Sequence, residues 1–248
     1  AAKVGGIKAN NENKAEFIFD NISIQNNVIN SSYVNGVKNL IFLGSSCVYP
    51  RDCKQPIKES YLLNGSLEKT NEPYAIAKIS GIKLCEAYNY QYQLNYKCLM
   101  PTNTYGKNDN YNLEKSHFVP ALIKKIHLSK INNLNSINLW GNGKAKREII
   151  YVEDLADAIL YFLTKKTKNS LINIGTGVGT SVLELVETFQ EVNKLEIAYE
   201  FCERRPGDVS ALVADNKKAI SLLKWEPKRD IKKMCIDGWL WQQKIQGS

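Results

Sequence analysis

Residues 37–46, VKNLIFLGSS, form a short apolar run that ends in a glycine and two serines. A run of this length is typical of a strand buried in a parallel sheet. A second run, YKCLMPTN at 96–103, has the same character. Between the two, residues 73–93 have the spacing of a helix, with Pro73 in its first turn. This order predicts an α/β fold with a Rossmann-like parallel sheet.

The alternation of strands and helices continues to the end of the chain. The further predicted segments are a loop at 51–72, a helix at 117–130, a hairpin-like turn after Trp140, a strand near 148–152, a helix from Glu153, a strand, glycine turn and helix within 171–192, a strand within 196–203, and helices near 215–224 and 231–245. This alternation again favours an α/β fold with a parallel sheet.

Composition limits the class of protein. Hydrophobic residues make up 44% of the 248 residues and charged residues 23%, which is typical of a globular protein. No apolar run reaches the 18 residues that a membrane helix needs, so we expect no membrane partner. The net charge of +8 comes from scattered lysines. It indicates either a solvated surface or a small anionic ligand, and not a nucleic-acid groove.

Six cysteines occur without any C-x-x-C pair, and only two histidines accompany them. This pattern does not favour a structural metal site. Most of the cysteines lie in apolar contexts, which suits reduced core thiols. The sequence therefore predicts a cytoplasmic protein without a metal.

The stretch GTGVGT at 175–180 follows a predicted strand and precedes a helix. It contains half of the dinucleotide fingerprint but lacks its third glycine, so a tight turn is the favoured interpretation. The chain also starts with AAKVGGI and no methionine. We expect that an N-terminal part of the Rossmann sheet, two βαβ-type units of about 60 residues with the phosphate-binding loop, precedes this sequence.

Tyr74 and Lys78 are four residues apart and so share one face of the predicted helix. An ammonium group near a phenol favours the phenolate, which lets the tyrosine exchange protons near neutral pH. Ser45 ends a predicted parallel strand about 30 residues earlier. Strand ends of this kind face the ligand crevice of an open α/β sheet. Without that context, Tyr74 and Lys78 would be read as a surface pair.

Ser45, Tyr74 and Lys78, in this order, resemble the catalytic triad of the extended short-chain dehydrogenases/reductases. Longer segments resemble one branch, the GDP-L-fucose synthase family, over roughly the first 175 residues. The segments that carry this resemblance are AAKVGGIKANN, LGSSCVYP, KQPIKES, TNEPYAIAKISGIKLCE, MPTNTYG, SHFVPALI and WGNGKAKREIIYVEDLADA.

The resemblance implies an activity with two parts. That family epimerises GDP-4-keto-6-deoxymannose at C3 and C5 and then reduces the C4 ketone with NADPH. Cys47 is implied as the base and His117 as the acid, with nearby cations lowering the pKa of the Cys47 thiol. Read alone, Cys47 would be a buried thiol at a strand end and His117 a surface residue at a helix start.

The resemblance also implies two binding sites. The residues expected to bind NADP(H) are Leu43, Gly44, Ser45, Ser46, Tyr74, Lys78, Pro101, Thr102, Asn103, Thr104 and His117. The residues expected to bind the nucleotide sugar are Lys125, Trp140 and Arg147. Lys78 is expected to lower the pKa of Tyr74.

The C-terminal part resembles a different family, the UDP-glucose/UDP-galactose 4-epimerases, through GTGVGTSVLELVETFQEV and RRPGDVSALVAD. There Arg205 and Asp208 are implied to hold the nucleotide diphosphate and ribose. The sequence therefore leaves open GDP or UDP as the carrier and NADP or NAD as the cofactor. The alternatives are a UDP-hexose 4-epimerase or another nucleotide-sugar epimerase/dehydratase, and a non-catalytic nucleotide-sugar or RNA-binding relic.

The resemblance gives an expected organisation. Residues 1–107, with 148–177 returning to them, would form a partial NADP-binding Rossmann domain. Residues 108–147 and 178–248 would form the substrate-binding domain. The family usually dimerises through helices beside the sheet, so we expect a homodimer with the helix from Pro73 at its interface.

Overall fold

The structure is a computed structural model that describes residues 2–113, 116–168, 170–204 and 207–246. The helices are α1 (Ile7–Glu12), α2 (Lys14–Val34), α3 (Glu72–Tyr92), α4 (Phe118–Ile131), α5 (Val152–Thr164), α6 (Val182–Asn193), α7 (Lys217–Leu223) and α8 (Ile231–Gln246). The strands are β1 (Asn39–Leu43), β2 (Asn95–Pro101), β3 (Asn103–Tyr105), β4 (Ile137–Trp140), β5 (Lys146–Tyr151), β6 (Leu171–Ile174), β7 (Gly179–Ser181), β8 (Tyr199–Cys202) and β9 (Ala211–Leu212).

The main sheet is parallel and has the strand order β1, β2, β6. Phe42 of β1 is in register with Cys98 of β2, and Leu99 of β2 with Ile172 of β6. The five residues from Tyr96 to Met100 are all buried, as expected for a strand with helices on both faces. The predicted α/β class with a parallel, Rossmann-like sheet is confirmed.

A second sheet has β5 at its centre, with parallel neighbours β3 and β9 and the antiparallel β7. The hairpin-like turn predicted after Trp140 implied that β4 pairs with β5, and this prediction is wrong. Strand β4 instead pairs in parallel with β8. Gly141 and Gly143 both have positive φ and turn the chain away from a two-stranded ladder. Ile137 and Leu139 are thereby buried in the same cluster as α4 and α8.

Helix α2 was not predicted from the sequence, although it is as long as α3 and packs against it. Its buried positions are Phe17, Asn21, Gln25 and Ile29, which follow one another at intervals of four. Two of these four are amides, so the apolar periodicity that marks a helix is interrupted. The Gln25 side chain donates instead to the carbonyl of Ala77 in α3, at 2.6 Å.

Helix α3 begins one residue before the predicted start, at Glu72. Close contact with β1 is possible because of Gly81, where an added Cβ would lie 2.5 Å from the Phe42 ring. Strand β1 is shorter than predicted and ends at Leu43, since residues 46–48 turn into a single 3₁₀ turn. The first turns of α3 therefore lie beside the carboxyl end of β1.

Across the parts of the chain that the structure describes, no helix combines the length and the apolar character that a membrane crossing requires.

Candidate active site

A cavity of about 660 Å³ opens where β1 and β2 end. It brings together most of the residues that the sequence singled out. Those that line it are Leu43, Gly44, Ser45, Ser46, Cys47, Tyr74, Lys78, Pro101, Thr102, Asn103, Thr104, His117, Arg147 and Asp208. The carboxyl ends of parallel strands form the ligand crevice in open α/β sheets, so the cavity is the candidate active site.

Ser45 is the centre of a small group of polar side chains. Its Oγ lies 3.1 Å from the Cys47 sulfur and also accepts from the Cys47 backbone N–H, at 3.5 Å. The same Ser45 side chain lies close enough to the Tyr74 hydroxyl to lower the pKa of that phenol. One hydroxyl therefore connects a thiol and a phenol at the wall of the cavity.

Lys78 lies one helical turn beyond Tyr74 and is largely buried. Its Nζ donates to the backbone carbonyl of Leu43 at 2.8 Å, which ties α3 to the end of β1. The ammonium also lies 5.0 Å from the centre of the Phe42 ring and 5.8 Å from that of Tyr74. These contacts hold a positive charge beside the cavity.

Two sequence-based expectations about acidity are wrong. Burial raises the pKa of the Cys47 thiol to about 11, and the Ser45 hydrogen bond and the Lys78 charge offset only part of that effect. Burial also raises the pKa of Tyr74 above its ordinary value, with the Cys47 side chain adding to the rise. Both groups therefore carry their protons at neutral pH.

His117 immediately precedes α4, and its backbone carbonyl accepts the first bond of that helix from Ala121, at 3.1 Å. Asp109 lies close enough for the His117 charge to lower its pKa, although burial has the larger, opposite effect. His117 and Cys47 line the same cavity. The two candidate proton-transfer groups thus meet at one site.

A smaller cavity of about 80 Å³ gathers Lys125, Trp140, Arg147 and Asp208. The Lys125 ammonium lies 5.7 Å from the centre of the Trp140 ring. Arg147 forms an ion pair with Asp208. Arg147 and Asp208 line both cavities, so the two cavities adjoin each other. Arg205 lies outside the described residues.

Glu148 was missed by the sequence analysis. Its side chain is fully buried, and its oxygens accept from the backbone N–H groups of Gly177 and Ala214, both at 2.6 Å. An added Cβ on Gly175 would lie 2.0 Å from one of these oxygens. The glycine turn at 175–179 therefore binds a carboxylate of the chain itself, as befits a structural turn and not a phosphate loop.

Residues 2–7 were also missed as part of the cavity, although most of them line it. Their backbone lies beside Ser116, since an added Cβ on Gly6 would come within 2.7 Å of the Ser116 carbonyl oxygen. The sequence offered one hint, the consecutive glycines of VGGI.

The residues at the ends of β1 and β2 fit the nicotinamide and ribose half of a dinucleotide. Thr102 lines the cavity, and its hydroxyl oxygen is buried without a hydrogen-bond partner among the described residues. The Lys78 ammonium lies nearby at the end of β1. In the described ranges, no group of three or more His, Cys, Asp or Glu side chains could hold a metal ion.

Three comparisons with known proteins agree with this geometry. Residues 1–175 match the NAD dependent epimerase/dehydratase family. GDP-L-fucose synthase 1 of Arabidopsis thaliana is 45% identical over 244 residues, which is 98% of this chain and 75% of that protein. This alignment includes the C-terminal part of the chain.

Two solved structures share the fold over almost the whole chain. The GDP-mannoheptose C4 reductase of Campylobacter jejuni, solved with NADP bound, is 33% identical, with a TM-score of 0.86 over 98% of this chain and 81% of that one. The UDP-glucose 4-epimerase of Thermotoga maritima, solved with UDP-glucose, is 26% identical, with a TM-score of 0.85 over 99% of this chain and 76% of that one.

Proposed function

The chain belongs to the NAD dependent epimerase/dehydratase family, and from that premise we propose that it acts as a GDP-L-fucose synthase. It epimerises GDP-4-keto-6-deoxy-D-mannose at C3 and C5 and then reduces C4 with NADPH. One observation carries this proposal: Cys47 and His117 line the same cavity as Ser45, Tyr74 and Lys78. Hydride transfer alone requires no such pair of proton-transfer groups.

In the first stage, Cys47 and His117 exchange protons at the carbons next to the ketone. Cys47 removes a proton as the thiolate, and His117 delivers one to the other face of the sugar. The resulting enolate has its charge on the C4 oxygen. The hydroxyls of Ser45 and Tyr74, which lie beside each other, stabilise that charge by donating to it.

In the second stage the C4 ketone becomes an alcohol. When bound beside the ends of β1 and β2, NADPH would supply the hydride that C4 gains. Tyr74 donates the proton to the C4 oxygen, and its raised pKa keeps the phenol protonated until that moment. Lys78 positions the end of β1 through Leu43 and offers donors to the ribose hydroxyls of the cofactor.

The smaller cavity is proposed to bind the nucleotide. Arg147 suits a diphosphate, because a guanidinium can donate two parallel hydrogen bonds to it. Asp208, its ion-pair partner, suits the ribose. Trp140 covers the base and Lys125 adds a positive charge at 5.7 Å from its ring. Arg205 is proposed to contribute to the same site.

The binding of NADP(H) is supported by the residues around the strand ends and by the named relatives. The GDP-mannoheptose C4 reductase, which shares the fold, was solved with NADP bound. The proposed cofactor contacts come from residues 43–46 and 101–104, with Tyr74, Lys78 and His117.

We propose the domain division expected from the sequence, with residues 1–107 and 148–177 holding the cofactor, and 108–147 and 178–248 the sugar nucleotide. The buried cores support most of this division, since one cluster joins α4, β4, α6 and α8, and two others surround β1, β2 and β6. Helix α7 is the exception, because Ala219 and Leu223 are buried in the cluster that contains β6.

We also propose a homodimer in the cytoplasm. Large apolar side chains are exposed on α2 and α3, among them Phe19 at 71% and Tyr90 at 87%. Sedimentation of the purified protein would show whether it is dimeric and whether Tyr90→Glu dissociates it. All six cysteines are unpaired, which suits a reducing compartment.

The second candidate is a UDP-hexose 4-epimerase, favoured by the structural likeness to the Thermotoga maritima enzyme. The decisive experiment mixes the protein with NADPH and GDP-4-keto-6-deoxymannose in deuterium oxide. A synthase oxidises NADPH stoichiometrically and incorporates deuterium at C3 and C5. A 4-epimerase instead interconverts UDP-glucose and UDP-galactose, supplied in a parallel mixture, and consumes no NADPH. The absence of both activities would favour the non-catalytic alternative.

A further inference from the structure

The VGGI segment, residues 4–7, has no role in the mechanism above. We propose that this segment positions His117 for proton transfer, by packing its backbone against the peptide that joins Ser116 to His117. The inference deepens the proposed function and rests on it, since it assigns a positioning residue, Gly6, to the epimerisation half of the reaction.

The contact between the two backbones is direct. A Cβ on Gly6 would lie 2.7 Å from the carbonyl oxygen of Ser116 and 3.7 Å from its carbonyl carbon. Gly6 itself has φ −66° and ψ 179°, an extended conformation that any residue can adopt. Glycine is therefore required at this position for space and not for backbone freedom.

Two buried asparagines hold the segment in place. Asn10, 6% exposed, donates through Nδ2 to the carbonyls of Gly5 at 2.7 Å and Gly6 at 3.1 Å. Asn21, 2% exposed, donates to the carbonyl of Lys3 at 2.9 Å and accepts from its N–H at 3.0 Å. Hydrogen bonds thus hold the backbone both before Gly6 and at Gly6 itself.

Ser116 transmits this constraint to His117. Its own N–H donates to the carbonyl of Asn112 at 2.9 Å, and it is largely buried. His117 follows by one peptide bond and immediately precedes α4. A shift of the Ser116 carbonyl therefore moves the backbone that carries the His117 imidazole. Ser45 and Lys78 have separate contacts, with Cys47 and with the carbonyl of Leu43.

Two variants disturb the contact in opposite ways. Gly6→Ala pushes on the Ser116 carbonyl, and Asn10→Leu removes both donors that hold the segment. Lys3→Ala is the matched control. It removes the ion pairs that Lys3, three residues before Gly6, forms with Glu16 and Asp20, and it adds no atom near Ser116.

The first readout needs no substrate. The protein has two histidines, so its imidazole NMR spectrum has two sets of signals, and His127 is an internal reference. We expect the chemical shifts of His117 to change in Gly6→Ala and in Asn10→Leu and to stay constant in Lys3→Ala. The chemical shifts of His127 should stay constant in all three variants.

The second readout separates the two half-reactions. Deuterium uptake at C3 and C5, measured with NADP⁺ so that no reduction occurs, should fall by about 10²-fold in Gly6→Ala, as misplaced reacting groups lead us to expect. With NADPH, more of the reduced product should keep its original configuration at C3 and C5. This product ratio does not depend on how much of the protein is folded.

Unmoved His117 signals in Gly6→Ala would overturn the inference. An unchanged product ratio, with deuterium uptake and NADPH oxidation reduced equally, would overturn it as well. That result would show that Gly6 has only a structural role. If the unaltered protein neither takes up deuterium nor oxidises NADPH, the proposed function fails and the role in proton transfer fails with it. The NMR signals would then still decide whether the contact sets the position of His117.

Discussion

The Cys47 sulfur lies 3.1 Å from the Ser45 hydroxyl oxygen, and the same Ser45 side chain lies beside the Tyr74 hydroxyl. One serine thus contacts the group proposed to move protons at carbon and the group proposed to protonate oxygen. The arrangement allows both halves of the reaction to use one ketone in one position. It also means that the two halves can be separated by changing Cys47 and leaving Tyr74 alone.

Replacing Cys47 with serine should abolish proton exchange at carbon. We expect deuterium uptake at C3 and C5 to fall by about 10²–10⁴-fold, the usual contribution of a general base. Reduction should persist, with a product that keeps its configuration at both carbons. Cys53→Ser, a thiol outside the cavity lining, is the control. Undiminished uptake in Cys47→Ser would remove Cys47 from the mechanism.

The pH dependence of Cys47 alkylation should reflect the buried thiol. Burial raises the pKa of Cys47 to about 11, and only the thiolate attacks iodoacetamide. Below that pKa the thiolate fraction rises about tenfold for each pH unit, so the rate of alkylation at Cys47 should rise by this factor between pH 7 and 10. Mass spectrometry of the peptide that contains Cys47, at timed intervals across this range, tests the slope. A plateau near pH 8 would contradict it.

Removing the Arg147 charge should weaken binding of the sugar nucleotide. Arg147→Met deletes donors to the proposed diphosphate and leaves Asp208 without this ion pair. Hydrogen bonds to charged groups contribute about 1.5–3 kcal/mol, so KM for the nucleotide sugar should rise by about 10–100-fold. KM for NADPH should stay constant. Lys144→Ala, an exposed cation nearby, is the control, and an equal rise in both KM values would contradict the assignment.

A buried ion pair between α5 and the segment before α8 should matter for stability. The Asp154 side chain is 1% exposed and accepts from the Arg229 guanidinium at 2.6 Å. Arg229→Met leaves that carboxylate buried without its cation, which should cost about 3 kcal/mol. Urea titration measures the free energy of unfolding.

The control for that titration is Lys228→Ala. Lys228 forms an exposed ion pair with Asp157 at 4.0 Å, and such pairs contribute about 0–1 kcal/mol. Similar losses in the two variants would show that burial of Asp154 is not decisive.

The parts of the fold that follow from local pattern were predictable. Helix α3 was predicted within one residue at each end, because Pro73 marks its first turn and its apolar positions have helical spacing. Helix α2 was not, since Asn21 and Gln25 occupy its buried face. The pairing of β4 with β8 joins residues about 60 positions apart, and no local pattern encodes such a choice.

The residues of the candidate site could be predicted from the sequence, but the pKa values of their side chains could not. The resemblance named Ser45, Cys47, Tyr74 and His117, and the cavity gathers them. It did not indicate that burial outweighs the Lys78 charge at Cys47, because the depth of a side chain depends on the whole packed structure. The contact of Gly6 with Ser116 was equally hidden, as it joins distant backbone segments.

Glu148 limits how this scaffold can be re-engineered. Its single carboxylate accepts hydrogen bonds from the backbone N–H groups of the turn at 175–179 and of Ala214. A design that swaps loops would treat these two stretches as independent of each other. A transplanted loop that changed the shape of either stretch would leave the buried Glu148 carboxylate without one of its hydrogen-bond donors. Chimeras with other nucleotide-sugar enzymes should therefore exchange β5, the glycine turn and the stretch through residue 214 as one cassette.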